Sequence, residues 1–212
     1  RPAPADSPAM KTLIASTLIL AATAAQAGHP LLSEDAGVLE RGSCEVEAVV
    51  ASAGGGVREQ ALGLACGLGH DAQWSLAAAR ARDGGASAKG VALGGKLGLW
   101  KQDEAALVLA PTMVWDDDGT GWRSAALDLN LVYSRPLAED WTLHANLGHA
   151  RDRRADQNAT GWSLALEHAG VEAAGLTWAP MADLAGDDHG APFWNLGLRV
   201  TLAADKAWLG LS

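Results

Sequence analysis

Gly42 to Gly69 reads GSCEVEAVVASAGGGVREQALGLACGLG. Two runs alternating with period two flank the triplet Gly54-Gly55-Gly56, which marks a β-hairpin rather than a helix. Pairing the runs about Gly55 sets Cys44 opposite Cys66, Val46 opposite Leu64 and Ala48 opposite Leu62. Facing residues on antiparallel strands have the separation a disulfide requires, so this register predicts a Cys44 to Cys66 bond in an oxidising compartment. The alternative is a pair of reduced thiols acting as small apolar side chains.

The same alternation recurs along the chain. Strands are expected over 73–82, 90–100, 105–115, 123–134, 141–150, 161–168, 174–181, 193–203 and 207–211. Segments rich in Gly, Asp, Pro and Asn separate them, among them RDGGASAKG, DDDGTG and RDRRADQNA, which is ordinary turn chemistry. Helix-period patterns are scarce, so the fold class is all-β, with about ten to twelve antiparallel strands.

The two faces of these strands differ in kind. Leu127, Leu129, Leu131 and Tyr133 alternate with Asp128 and Asn130; Trp141, Leu143, Ala145 and Leu147 alternate with Thr142, His144 and Asn146. The second face is largely glycine and alanine, as in Ala61, Gly63, Ala65, Gly67 and Ala92, Gly94, Lys96, Gly98. Such residues suit the crowded inside of a narrow up-and-down barrel better than a solvated strand face. With leucines toward lipid, the expected architecture is a transmembrane β-barrel. A soluble periplasmic sandwich or barrel that binds a ligand is the alternative, with its bulky residues turned inward.

Charge, tryptophan usage and the amino-terminal region point the same way. Met10-Lys11 followed by TLIASTLILAATAAQA reads as a signal peptide over 10–27. Residues 1–9 precede it as an upstream segment, 28–41 form an N-terminal periplasmic segment and 42–212 the barrel. The chain of 212 residues has net charge −9, and its basic residues are scattered, which argues against nucleic acid as a partner. Nine Trp stand against one Tyr and one Phe. Trp100, Trp115, Trp122, Trp141, Trp162, Trp194 and Trp178 fall at or near expected strand ends, as interfacial girdles require.

Residues Pro30, Leu31, Ser33, Glu34, Asp35, Gly37, Gly42, Glu45 and Glu47 give the start of the mature chain a local motif. It resembles that of bacterial outer-membrane β-barrel proteins grouped with meta-pathway phenol-degradation proteins and loosely described as transporters. The stretch GDDHGAPFWNLGLRVTLAADKAWLGLS looks like a late hairpin of such barrels. The resemblance implies an outer-membrane location, lipid and the barrel assembly machinery as partners, and a small solute as cargo. Barrels of this class end on an aromatic residue, whereas this chain ends Leu211-Ser212.

The residues expected to face the lumen, for binding, conduction or bridging, are Glu45, Glu47, Lys96, Asp128, Asn130, His144, Asn146, Glu167 and Arg199. His144, Ser163 and Glu167 share this parity and have the chemistry of base, nucleophile and orienter. Polar packing is the competing reading, and the chain is read as a non-enzyme. Asp116 to Asp118 before Gly-Thr-Gly read as a turn, because the twelfth position of a calcium loop would be Leu127. Neither a metal nor a cofactor is expected.

Overall fold

The structure, a computed structural model, describes residues 33–52, 57–83, 86–202 and 207–211. The expected signal peptide and the glycine turn Gly54 to Gly56 lie outside the described residues. The strands are β1 (Cys44–Ser52), β2 (Arg58–Gly69), β3 (Ala72–Asp83), β4 (Ala86–Gln102), β5 (Ala105–Asp117), β6 (Arg123–Ala138), β7 (Trp141–Asp152), β8 (Gln157–His168), β9 (Val171–Ala173), β10 (Leu176–Asp187), β11 (Phe193–Leu202) and β12 (Ala207–Leu211).

All strands belong to one antiparallel up-and-down sheet, β1 to β8 followed by β10, β11 and β12. β9 pairs Leu176 to Trp178 of β10, while β8 pairs Met181 to Asp187 of the same strand. The short strand therefore carries on the row that β8 leaves at His168. Between them Gly170 takes φ 115°, and an added Cβ there would lie 2.5 Å from the Thr177 methyl. Among the described residues no ladder joins β12 to β1, so the expected closure of the barrel is not present: the sheet is open.

The first hairpin has the expected register, Cys44 opposite Cys66, Val46 opposite Leu64 and Ala48 opposite Leu62. Cys44 and Cys66 are disulfide-bonded, with their Cα atoms 4.1 Å apart. The β2–β3 turn is the dipeptide His70-Asp71, both at positive φ, the twist-compatible form of a two-residue hairpin. The strands otherwise follow the expected spans, and several run further. β4 starts at Ala86 and β10 ends at Asp187, because ladder bonding carries small residues that alternation alone had left in loops.

The faces separate as their alternation implies. Glu47, Glu59, Ala61, Ala77, Ala92 and Lys96 are buried on the inner face, while Val46, Leu62, Leu76, Leu93 and Leu97 are exposed on the outer one. Ala81, Ala88 and Ala92 are each only 2 % exposed. A flat single layer cannot shield a side chain that short, so the sheet is strongly curled around its small-residue face. Register shifts at Gly67/Gly69, Gly98/Trp100 and Pro136/Ala138 bend β2, β4 and β6 near the same end of the sheet.

Candidate functional site

The interior is occupied by the chain itself. Residues 33–41, which alternation set apart from the barrel, run as a strap across the inner face near the end where β1 begins. Ser33 donates to the Ser163 hydroxyl of β8 at 2.8 Å. The Asn146 amide of β7 holds both main-chain groups of Glu34, accepting from its N–H at 3.0 Å and donating to its carbonyl at 2.9 Å. Asn130 of β6 donates to a Glu34 carboxylate oxygen at 3.0 Å and to the Asn146 side-chain oxygen Oδ1 at 2.9 Å. Lys96 of β4 donates to the Asp35 carbonyl at 2.8 Å and lies 3.6 Å from its carboxylate.

Further along, the Ala36 N–H donates to Ser134 Oγ at 2.8 Å, and the Leu39 N–H donates to the Gln73 side-chain oxygen at 2.8 Å. Arg41 forms a parallel bridge with Gly67. Gly67 is required by this approach, because an added Cβ would lie 2.1 Å from the Glu40 carbonyl oxygen and 2.3 Å from that of Leu39. Ala36 is buried against Val108, Ala110 and Val132. Ser33, Glu34 and Lys96 are buried as well. From Glu34 to Leu39 the main-chain groups with these bonds rest on side chains of the wall, and at Arg41 the strap joins the main chain of β2.

Burial pushes the Glu34 carboxyl up to about 7, against the opposing pull of the Lys96 charge and the Asn130 amide. Beside this seat lies a second polar chain. Ser134 Oγ is 2.8 Å from His144 Nδ1, His144 Nε2 is 3.3 Å from a Glu167 carboxylate oxygen, and Arg199 pairs with the other Glu167 oxygen. Ser163 bonds the strap, so His144, Ser163 and Glu167 do not line up as base, nucleophile and orienter. The hydroxyl that reaches His144 is Ser134, and it accepts from the Ala36 main chain.

All nine residues expected to face a lumen lie on the inner parity of the sheet. Lys96, Asn130 and Asn146 meet on the strap, and His144, Glu167 and Arg199 form the adjoining chain. Glu45 and Glu47 lie on the inner side of β1, with Glu47 buried. Asp128 lies beyond the strap, its Oδ1 without a hydrogen-bond partner among the described residues. Sequence reasoning missed Gln73 and Ser134, although both are polar residues on the inner parity of their strands. It missed the occupant altogether, since the Ser-Glu-Asp-x-Gly motif has no period to tie it to a strand.

At the far end, the carboxylates of the 116–118 run serve the turn. Asp117 Oδ1 accepts from the Gly119 and Gly121 N–H groups at 2.8 and 2.9 Å. Arg154 reaches over from the β7–β8 turn to Asp116 and to Asp118, the latter at 2.9 Å. The Thr120 hydroxyl, seconded by its N–H and by Arg154, holds the Asp118 carboxyl below the usual range despite some burial.

Fold and interior together define an all-β protein built from one antiparallel meander, with an apolar outer wall and a polar interior filled by its own amino-terminal segment. The chain belongs to the family described as uncharacterised conserved protein UCP029691, whose family model matches residues 15–204. No curated protein matches the chain, and no solved structure does.

Proposed function

We propose that the protein is an exported β-barrel of the bacterial outer membrane, closed by its own strap. In this reading it serves as a structural component of that membrane or handles small solutes only when the interior opens. One observation carries the reading: the outer wall is apolar from β1 to β11. Val46 is 69 % exposed, Leu62 57 %, Leu147 56 % and Leu196 61 %. Soluble monomers rarely leave a contiguous apolar patch beyond a few hundred Å² uncovered, whereas hydrocarbon solvates such a wall.

Three further features support it. Trp74, Trp100, Trp141 and Trp178 lie toward the strap end of their strands, and Trp115, Trp122 and Trp194 lie toward the opposite end. Two belts at opposite ends match two membrane interfaces. Two-residue turns after β2, β4 and β6 close the strap end, while the turns after β5, β7 and β10 are longer. That asymmetry is the one outer-membrane barrels show between periplasmic and external ends. The disulfide fits an oxidising compartment. The resemblance of the mature start to outer-membrane transporters implies the same location and lipid, assembly machinery and small solutes as partners.

Fractionation of the expressed chain, followed by electrophoresis with and without boiling, tests the proposal. Recovery in the outer membrane with boiling-dependent mobility is the expected result. A soluble periplasmic protein with no shift would sink it and favour a binding protein whose leucine face is covered by a partner.

A further inference from the structure

The strap is held in an unusual way for a piece of permanent core. Its main-chain groups are read one by one by wall side chains from four strands: Glu34 N–H and carbonyl by Asn146, the Asp35 carbonyl by Lys96, Ala36 N–H by Ser134 and Leu39 N–H by Gln73. A primary amide that both accepts from one residue's N–H and donates to its carbonyl reproduces what a neighbouring β-strand offers. Side chains of the strap are selected as well: Ser163 meets a hydroxyl at its first position, and Lys96 an acidic group at its third. Asn130 and Lys96 favour a carboxylate at the second position, and the Val108, Ala110 and Val132 surface favours a small side chain at the fourth.

Most of this contact is polar on both sides. Removing the strap would return amide, hydroxyl and ammonium groups to water, where they are well solvated, and would uncover a small apolar surface at Val108, Ala110 and Val132. We infer that the inner wall at Gln73, Lys96, Asn130, Ser134 and Asn146 is a binding site for an extended acidic peptide segment, filled here in cis by residues 33–41. Beyond it Ala61, Ala77, Ala92 and Val114 are buried against one another on the inner face, so the polar site ends there. Its preferred ligand is an extended chain reading hydroxyl, acidic residue, acidic residue, small residue. A resident segment on a short tether has a high effective concentration, so a second peptide enters only when the strap is weakened or drawn away.

The inference extends the barrel reading, but its test does not depend on membrane insertion. Full-length protein is titrated in detergent with a fluorescein-labelled peptide of the sequence Ser33 to Val38, and anisotropy is read. Gly67→Ala expels the strap at Glu40 without touching any group that this shorter peptide would meet. It is expected to bind the peptide at least ~10-fold more tightly than the wild type. Adding Asn146→Ala to Gly67→Ala should remove that binding, as should a peptide with Lys in place of its Glu. Should Gly67→Ala not fold, Ser33→Ala with Glu34→Ala weakens the strap alone and carries the same comparison. Equal binding by the folded strap-weakened variant and its Asn146→Ala derivative would overturn the inference. Failure of the chain to enter the outer membrane would overturn the barrel reading and leave this result standing.

Discussion

The two ends of the interior are filled by opposite means. Toward the strap end the wall carries Lys96, Asn130, Ser134, His144, Asn146, Glu167 and Arg199, and a separate stretch of chain satisfies much of it. Toward the far end Ala61, Ala77, Ala92, Val114, Ala125 and Ala126 close on one another, with Arg154 over Asp116 above them. One end is filled by recognition and the other by small volume. The first can be undone and resolvated, whereas the second has no room to give, because close-packed interiors resist even one added methylene.

The comparison breaks most sharply at Gly67. In Gly67→Ala the new methyl and the Glu40 carbonyl cannot coexist, so amide exchange at Glu34, Ala36 and Leu39 should rise to that of a released segment, while β5 and β6 stay protected. Unchanged protection of the strap would mean that its seat is not where the close approach places it.

Titration is expected to have the next largest effect. The strap carboxyl of Glu34 titrates near 7 when seated and near 4.5 when released, with Lys96, Asp35 and Asp128 as the charged groups facing it. Below pH 4.5 both forms are protonated and seating is strongest. Between 4.5 and 7 only the released form ionises, so seating weakens by roughly 300-fold and then stays level. Strap exchange measured from pH 4 to 8 and corrected for intrinsic rates should follow this sign, and Glu34→Gln should flatten it.

Asn146→Ala sharpens the contrast further, since it deletes both main-chain bonds to Glu34 and should cost the strap about 1–3 kcal/mol. Exchange at Glu34 would accelerate, and the thermal midpoint of the sheet would move little. Ala92→Leu at the far end should do the reverse, lowering global stability by about 1–3 kcal/mol through overpacking while the strap opens no more readily than the whole. Arg154→Ala, which leaves the buried Asp116 carboxylate without its guanidinium, should cost about 1–3 kcal/mol, read as faster exchange around residues 117–121.

Much of this fold is legible in the residues alone. Alternation around Gly55 is enough to place Cys44 beside Cys66, and the leucine parity of 127–133 divides outside from inside before any contact is known. These are local facts, set by the period of two that every strand shares. The nine inner residues follow from the same rule, because parity fixes a face without needing a partner.

What parity cannot supply is distance between strands that are not neighbours, or the place of a segment that has no period. Lys96, Asn130 and Asn146 come from three different strands, and only the curl of the sheet brings them onto Glu34. The strap itself carries no alternation, and its seat depends on a missing Cβ at Gly67 and on amides that lie about a hundred residues further along the chain. The sequence by itself therefore determined the strands, their faces and the disulfide, since each rests on neighbours in one ladder. Tertiary structure alone decided that the interior is filled and what fills it, because that is a matter of which surfaces meet once the sheet has curled.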